Sequence, residues 1–119
     1  MIDILPIFQS PLEAATLFIS LKYNELGSAG GVLGGTATAV TSCPDGEGFF
    51  RHFQGGSIYW HPATGAHAVL VGIREKWAAL GWERGFLGYP TTDELKGHDL
   101  GGLGTFSRFQ GSVIYRYGL

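Results

Sequence analysis

The sequence contains two copies of one pattern, and this repeat constrains the fold more than any other feature. Six apolar and glycine positions of residues 19–34 recur in residues 73–88, at an offset of 54 (73 minus 19). Six residues of 50–59 recur in 106–115, at an offset of 56 (106 minus 50). One two-residue insertion accounts for the change of offset. Units this small cannot bury their own apolar faces, so we expect the copies to pack on each other or on a second chain.

Helical periodicity predicts a helix in each copy. In the first, Ser10 is placed as the N-cap, Pro11 takes the first helical position and Glu13 completes a capping box. Gly27 is placed to end this helix and Gly81 to end the second, each in a left-handed conformation. The inward-facing positions are Leu12, Ala15, Ile19, Tyr23 and Leu26 in the first helix and Ile73, Trp77 and Leu80 in the second.

Glycines in the later part of each copy predict a β-hairpin. We expect two-residue type II′ turns at Gly55-Gly56 and at Gly111-Ser112, because this turn needs glycine at its first central position. The resulting register pairs Phe53 with Ile58, His52 with Tyr59, Arg51 with Trp60, Phe109 with Ile114 and Arg108 with Tyr115.

Strand alternation divides the first hairpin into two faces of mixed polarity. Phe53 and Ile58 share one face with Arg51 and Trp60, and the last two are expected to form a cation–π pair worth about 0.5–1 kcal/mol. The other face carries Gln54, Ser57, His52 and Tyr59. Neither face is purely apolar, so the hairpin is a candidate for binding as well as for packing.

Apolar segments at residues 2–8 and 65–72 precede the two helices and are predicted to be strands. The chain is therefore expected to have an α+β fold, with two tandem strand–helix–loop–hairpin repeat units packed into one small domain over residues 1–119. The first unit covers about 1–61 and the second about 62–119, with the junction between Pro62 and Gly65.

Composition excludes several classes of protein. The net charge of -2 provides no electrostatic footprint for nucleic acid or for an acidic membrane surface. No apolar run is long enough for membrane insertion. Cys43 is the only cysteine, which leaves no internal disulfide, and the four histidines lack the spacing of a metal site. We expect no metal and no cofactor.

The N-terminal sequence MIDILPIFQSP lacks the features of a secretory signal. Asp3 stands where a basic region is needed, and Pro6 interrupts the short apolar run. As written, the chain is expected to be cytoplasmic, or to be a mature fragment of an exported protein.

Catalytic motifs are sparse. Asp93 and Glu94 are adjacent, so on a strand they would point to opposite faces. Cys43 lies in no nucleophile motif, and glycine-rich residues 30–35 follow a helix instead of the strand that a dinucleotide site requires. We predict that the protein is not an enzyme, and a small hydrolase that uses Asp93 and Glu94 is the weakest of the functional alternatives.

Motifs in the second copy resemble a known family. Residues 85–94 read GFLGYPTTDE, preceded by FQGGSIYWHPATGAHAVLVGIREKWAALG and followed by FQGSVIY. This arrangement resembles the LGFP repeat, named for a Leu-Gly-Phe-Pro signature that Leu87, Gly88, Tyr89 and Pro90 match with tyrosine for phenylalanine. The first copy departs from the signature, since residues 33–36 read LGGT.

The resemblance implies a non-catalytic module. LGFP repeats occur in tandem beside cell-wall hydrolases and mycolyl esterases of actinobacteria, where they are held to bind wall polysaccharide and position the enzyme. For this chain the resemblance implies a polysaccharide or glycan partner and a location in the cell envelope or outside the cell.

Sugar binding needs an aromatic platform flanked by planar groups with several donors or acceptors. Each hairpin supplies glutamine, tyrosine and a nearby arginine. Trp77 is expected in the core from its helical spacing, whereas Trp82 follows the end of a helix in a charged loop and is the better surface candidate. The predicted ligand-binding residues are Arg51, Gln54, Tyr59, Trp60, Trp82, Tyr89, Arg108, Gln110 and Tyr115.

Two alternatives stand beside this interpretation. The amides of Gln54 and Gln110 are equally suited to satisfying backbone groups at the hairpin turn. The whole chain is also compatible with a protein-interaction or self-assembly domain, such as a homodimer, in which exposed aromatics become buried against another chain.

Overall fold

The computed structural model describes residues 8–97 and 104–117, and these residues form two α-helices and seven strands. The strand expected over residues 2–8 lies outside the described residues except for Phe8. The elements are α1 Pro11–Glu25, β1 Thr41–Ser42, β2 Phe49–Phe53, β3 Gly56–His61, β4 Gly65–Leu70, α2 Val71–Ala79, β5 Leu95–Lys96, β6 Gly104–Arg108 and β7 Val113–Tyr117, with 3-10 turns at Ser28–Gly30 and Trp82–Arg84. They confirm the α+β class. Neither α-helix in this part of the chain could cross a membrane.

Local signals fix helix α1 at both ends. Ser10 is the N-cap, and its hydroxyl accepts a hydrogen bond from the Glu13 amide at 3.2 Å. The Glu13 carboxylate accepts in return from the Gln9 amide at 3.1 Å, one residue before the position that a capping box normally uses. Leu26 closes the helix, and Gly27 follows with a φ of 97°, in the left-handed region predicted for it.

Strand β3 lies at the centre of the architecture. The first sheet has the order β1-β2-β3-β4, and neighbouring strands are antiparallel. Helix α1 covers one face of this sheet, where Ile19 packs in a cluster with Ile58 and Trp60. Tyr59 belongs to a second cluster on the opposite face. Because both faces are covered, every residue from 56 to 60 is buried.

Helix α2 connects the two sheets. It begins directly after β4, and Gly81 follows its C-cap with a φ of 102°. Ile73 and Trp77 pack in the cluster that contains Tyr59 of the first sheet and Ile114 of the second. The second sheet has the order β5-β6-β7 and is also antiparallel. This shared cluster makes the two sheets parts of one packed body.

The hairpin register differs from the predicted one by two residues. Phe53 lies opposite Gly56, and Arg51 lies opposite Ile58. The turn is therefore formed by residues 54–55 and not by the predicted Gly55-Gly56. Because the shift is two residues and not one, each side chain keeps its predicted face of the sheet.

The second hairpin is shifted in the same way. Arg108 lies opposite Val113 and not opposite the predicted Tyr115. Neither Gly55 nor Gly111 is among the residues with positive φ, so the expected type II′ turns are not formed.

Contact between the turn and the preceding glycine loop explains the observed register. The Gly55 amide donates to the Leu33 carbonyl at 2.8 Å, and the Gln54 amide donates to the Gly35 carbonyl at 3.0 Å. A Cβ atom at Gly55 would lie 2.2 Å from the Val32 carbonyl oxygen. Glycine is therefore required at position 55 because the hairpin turn and the glycine loop approach each other closely. Rules for local turn geometry do not consider such a contact between distant segments.

Replacing Gly55 with alanine is expected to destabilise the protein by about 1–3 kcal/mol, because the new methyl group would force the turn away from the glycine loop. The matched control is Gly30→Ala, since a Cβ there has no atom within 4 Å. It should change the free energy of unfolding by no more than about 0.5 kcal/mol. Urea denaturation of both variants measures the difference, and equal midpoints would contradict the proposed reason for glycine.

Candidate functional site

The structure distributes the predicted ligand-binding residues over four places. Tyr59, Trp82 and Tyr89 lie together on the α2 side of the first sheet, and Arg51 and Trp60 lie on the α1 side. The other four are separate from both groups, with Gln54 and Gln110 at the two hairpin turns and Arg108 and Tyr115 on the second hairpin.

The group on the α2 side is aromatic and closely packed. The Tyr59 ring lies 6.3 Å from the Trp82 ring and 6.3 Å from the Tyr89 ring, measured between centroids. Trp77 contacts Tyr59 edge-on at 4.7 Å and is fully buried, as its helical spacing predicted. Tyr59 and Tyr89 are also buried. Trp82 is only half-buried, so it is the member of this group that solvent reaches most readily.

The predicted cation–π pair between Arg51 and Trp60 is wrong. The register places Trp60 opposite Phe49, and its indole is buried against α1. The Arg51 guanidinium instead lies 5.9 Å from the Phe53 ring, and its Nε donates to the Thr38 carbonyl at 2.8 Å. The two-residue shift of the hairpin is the physical reason for this difference.

Both glutamines hold the loop that precedes their hairpin. Oε1 of Gln54 accepts a hydrogen bond from the Gly35 amide at 3.2 Å, and Oε1 of Gln110 accepts from the Tyr89 amide at 3.0 Å. The side chains thus fill the space between turn and loop. Both side chains therefore satisfy backbone amides, as the alternative to ligand binding predicted. The amides belong to the preceding loop and not to the hairpin turn.

Tyr89, the aromatic residue of the LGYP segment, is anchored in the first half of the molecule. Its hydroxyl donates to Oδ2 of Asp45 at 2.6 Å, in the loop between β1 and β2. Its ring lies 4.7 Å from that of His61. Burial and the bond to Asp45 raise the pKa of Tyr89, so the hydroxyl stays protonated and remains a donor. These contacts attach the second half of the chain to the first.

Beside this group lies a hollow that we call the Trp82 cleft, with a volume of about 400 Å³. It is open to solvent between the β2–β3 hairpin and the 3-10 turn that follows α2. Its lining residues are Thr41, Ser42, Pro44, Phe50, His52, Tyr59, Trp82, Glu83 and Arg84. A second hollow of about 420 Å³ shares His52 and Trp82 with it and extends toward Thr38 and Glu75. The two hollows are therefore neighbours, with His52 and Trp82 in the lining of both.

Trp82 occupies an unusual backbone conformation at the edge of this cleft. Its φ is 58°, in the left-handed region, where a residue with a Cβ pays about 1–2 kcal/mol. The ring packs 5.5 Å from Trp77 and 5.7 Å from His52. Glycine or asparagine would adopt this φ with less strain. The packing of the indole against Trp77 and His52 offsets part of the strain energy at Trp82.

Glu83 brings a carboxylate to the cleft. Its side chain is only 5% exposed, and its charged neighbour among the described residues is Arg84, with Nε 3.9 Å from Oε2. Burial raises the pKa of Tyr59, and the negative charge of Glu83 raises it further. Glu83 and Tyr59 both line the cleft, and a 3.9 Å pair leaves the carboxylate oxygens able to accept hydrogen bonds from a ligand.

A chain of polar contacts fixes the ring of His52. Arg74 Nη1 donates to Ser57 Oγ at 2.9 Å, and Ser57 Oγ shares a hydrogen bond with His52 Nδ1 at 2.5 Å. Burial, followed by the charge of Arg74, lowers the pKa of His52 and favours the neutral ring. Ser57 is completely buried, so this serine–histidine contact orients the imidazole and presents no accessible nucleophile.

Sequence reasoning did not select Phe50, His52 or Glu83 as ligand-binding residues. Strand alternation already placed His52 on the face of Tyr59, and this signal could have been extended to Phe50. Glu83 carried a weaker signal, its position in the loop after the helix-ending Gly81.

Asp93 and Glu94, the alternative catalytic pair, are held by different partners. Asp93 Oδ2 accepts from Lys22 Nζ at 2.8 Å, and Oδ1 accepts from the Ala68 amide of edge strand β4 at 2.9 Å. Glu94 Oε2 accepts instead from the Thr105 hydroxyl at 2.6 Å. The Asp93 carboxylate thus connects α1, β4 and the loop after Pro90, and covers an amide on an exposed sheet edge.

One group of potential metal ligands occurs among the described residues, formed by Asp45, Glu47 and His61 within 4.8 Å of one another. The Ala63 amide donates to His61 Nδ1 at 3.0 Å, so a neutral ring carries its proton on Nε2 and has no free lone pair. Both Asp45 oxygens already accept hydrogen bonds, from the amides of Glu47 and Gly48 and from the Tyr89 hydroxyl. This arrangement stabilises the loop and is poorly suited to a metal ion.

The fold and the cleft define a small α+β domain whose aromatic cleft lies between a hairpin and the end of a helix. Residues 33–85 match the model of the LGFP repeat family. This match supports the resemblance to the LGFP repeat family. The matched segment begins at Leu33 of the LGGT motif and ends before Leu87 of the LGYP motif, although the latter is closer to the family signature. A search of curated proteins found no match.

The matched segment includes every residue that lines the Trp82 cleft, from Thr41 to Arg84. A division of the chain near residue 61, as predicted from the sequence, would separate the hairpin wall of the cleft from Trp82. The segment that matches the family model therefore contains the whole lining of the cleft.

The Asp93 contacts predict a specific loss of stability in acid. Burial raises the pKa of Asp93, but contacts with His67, Lys22 and the Ala68 amide outweigh it and lower the pKa to about 2. Because this is below the unfolded value of about 3.9, the stabilisation is complete above about pH 4 and is lost as the pH falls toward 2. Its size is about 2–3 kcal/mol.

Asp93→Asn keeps an acceptor for Ala68 but removes the charge, so the variant should unfold more easily at pH 7 and lose less stability between pH 5 and 2.5. Urea denaturation at both pH values measures this. Glu75→Gln serves as the control, because Glu75 is an exposed carboxylate on α2. If Asp93→Asn lost as much stability in acid as the parent, the ion pair with Lys22 could not be its source.

Proposed function

We propose that this protein is a non-catalytic carbohydrate-binding module, with the Trp82 cleft as its binding site and a cell-wall polysaccharide as its ligand. The single observation that carries the proposal is the combination of a half-buried indole, which solvent reaches, with a poorly paired, buried carboxylate in one open cleft. Sugar rings offer apolar C–H faces and hydroxyl edges, and these two groups suit the two surfaces.

Each lining group has a distinct part in this proposal. The Trp82 ring is the platform on which a sugar ring stacks, backed by Tyr59. Glu83 accepts hydrogen bonds from adjacent hydroxyls. His52 uses Nδ1 for its hydrogen bond with Ser57, so Nε2 is the ring nitrogen that remains for a sugar hydroxyl. The adjoining hollow extends the cleft across Trp82, which favours a polymer over a free monosaccharide.

We further propose that the chain consists of two tandem strand–helix–loop–hairpin units, cut at about 1–61 and 62–119. Matching hydrogen bonds support this. The hydroxyl of Tyr23 on α1 donates to the Gly34 carbonyl at 2.7 Å, and Trp77 Nε1 on α2 donates to the Gly88 carbonyl at 3.1 Å. Isolated bridges recur between loop and hairpin as Thr36 with Phe53 and as Pro90 with Phe109.

Binding should depend on Trp82 and Glu83 more than on any other exposed aromatic or acidic residue. Trp82→Ala is expected to raise the dissociation constant for the bound polysaccharide about tenfold or more, and Glu83→Gln about tenfold, since each tenfold step is about 1.4 kcal/mol. A glycan array identifies the ligand, co-sedimentation with purified cell walls tests retention, and titration of tryptophan fluorescence measures affinity.

Phe86→Ala is the matched control, because Phe86 is 70% exposed and lies outside the cleft. It should bind as the parent does. The fluorescence change should also disappear in Trp82→Phe, since Trp60 and Trp77 are buried. Absence of any retained glycan or wall polymer at high protein concentration would refute the function. Retention that survives both cleft substitutions would refute the site.

A further inference from the structure

Among the residues that the structure describes, no helix covers the outer face of the second hairpin as α2 covers its counterpart. Tyr59 on β3 is 3% exposed, because α2 and the loop of Tyr89 pack over it. Tyr115, its counterpart at the offset of 56 (115 minus 59), is 50% exposed, and Tyr117 on the same face is 69% exposed. Phe106 and Tyr115 form a ring pair at 5.7 Å like the one between Phe50 and Tyr59 at 5.1 Å. The second hairpin therefore carries the same aromatic surface without its partner.

The edge of the second sheet is open beside this surface. β7 is the last strand of its sheet among the described residues, and a groove of about 410 Å³ separates it from α2. Ile73, Leu80 and Val113 contribute to its walls. In the first half, β4 fills the equivalent space: it pairs with β3, and its Ala68 packs in the cluster of α1. The molecule itself thus shows that a strand followed by a helix fits such a surface.

Helix α1 presents an exposed apolar surface that suits such a contact. Helix α1 exposes four large apolar side chains, Leu12 at 50%, Leu17 at 38%, Phe18 at 38% and Leu21 at 52%. At the offset of 54, Leu21 corresponds to Glu75 (75 minus 21). Glu75 borders the hollow that α2 forms against the first hairpin. The exposed surface of α1 around Leu21 therefore corresponds to the side of α2 that faces a preceding hairpin.

We propose that copies of this chain associate head to tail, with the exposed side of α1 from one copy covering the β6–β7 face of the next. This contact joins two different surfaces, so it leaves one free surface at each end and can extend into rings or filaments. It requires no saccharide and does not rest on the proposed binding function.

Two substitutions test the two surfaces separately. Tyr115→Glu places a charge on the hairpin face, and Leu21→Glu places one on the α1 face. Sedimentation velocity over a range of concentrations should show growing assemblies for the parent and monomers for each variant alone. An equimolar mixture of the variants should form a one-to-one dimer that does not grow, because each partner retains the surface that the other has lost.

Val32→Glu is the control, since Val32 is 62% exposed and belongs to neither surface. It should assemble as the parent does. Tyr117→Glu repeats the test of the hairpin face at the next outward position of β7, and circular dichroism checks that every variant is folded. A parent that stays monomeric at all concentrations would overturn the proposal, as would folded variants that fail to pair. Trp82→Ala should still assemble, which separates this contact from carbohydrate binding.

Discussion

Burial of β3 on both faces is the constraint on which the rest of the structure depends. Ile58 points toward α1 and is 0% exposed, while the neighbouring Tyr59 points toward α2 and is 3% exposed. Burying one such side chain is worth about 1.5–3 kcal/mol, so both helices must stay in place for the strand to be stable. Since α2 also carries the second sheet, the two halves of the chain cannot separate without exposing this strand. The Trp82 cleft lies along this joint.

Much of the fold follows from local signals in the sequence, and the failures have a common cause. The capping residues of α1, the helix-ending glycines and the faces of the hairpin strands were correctly predicted, because each depends on neighbouring residues alone. The hairpin register was wrong because the backbone of Val32, distant in sequence, approaches Gly55 too closely for any side chain. That error produced the wrong pairing of Arg51 with Trp60.

The site was harder to predict than the fold. Trp82 was expected at the surface, but half of it packs against Trp77 and His52. The roles of Glu83 and His52 depend on how the end of α2 meets the first hairpin, and no spacing rule describes that meeting. Aromatic content indicated a binding surface, whereas the particular carboxylate and imidazole could be found only from the packing of the two halves.

The position of the cleft between a hairpin and the following helix also limits how many clefts an assembly can have. In a head-to-tail contact, α1 of the next copy would cover Tyr115 in the same way that α2 covers Tyr59. The counterpart of Trp82 would then be Ser28, at the offset of 54 (82 minus 28), which has a similar φ of 54° but no ring. The new cleft would lack its stacking platform. Each copy would therefore contribute one complete site, and assembly would strengthen binding to a polymer through avidity and not through additional sites per chain.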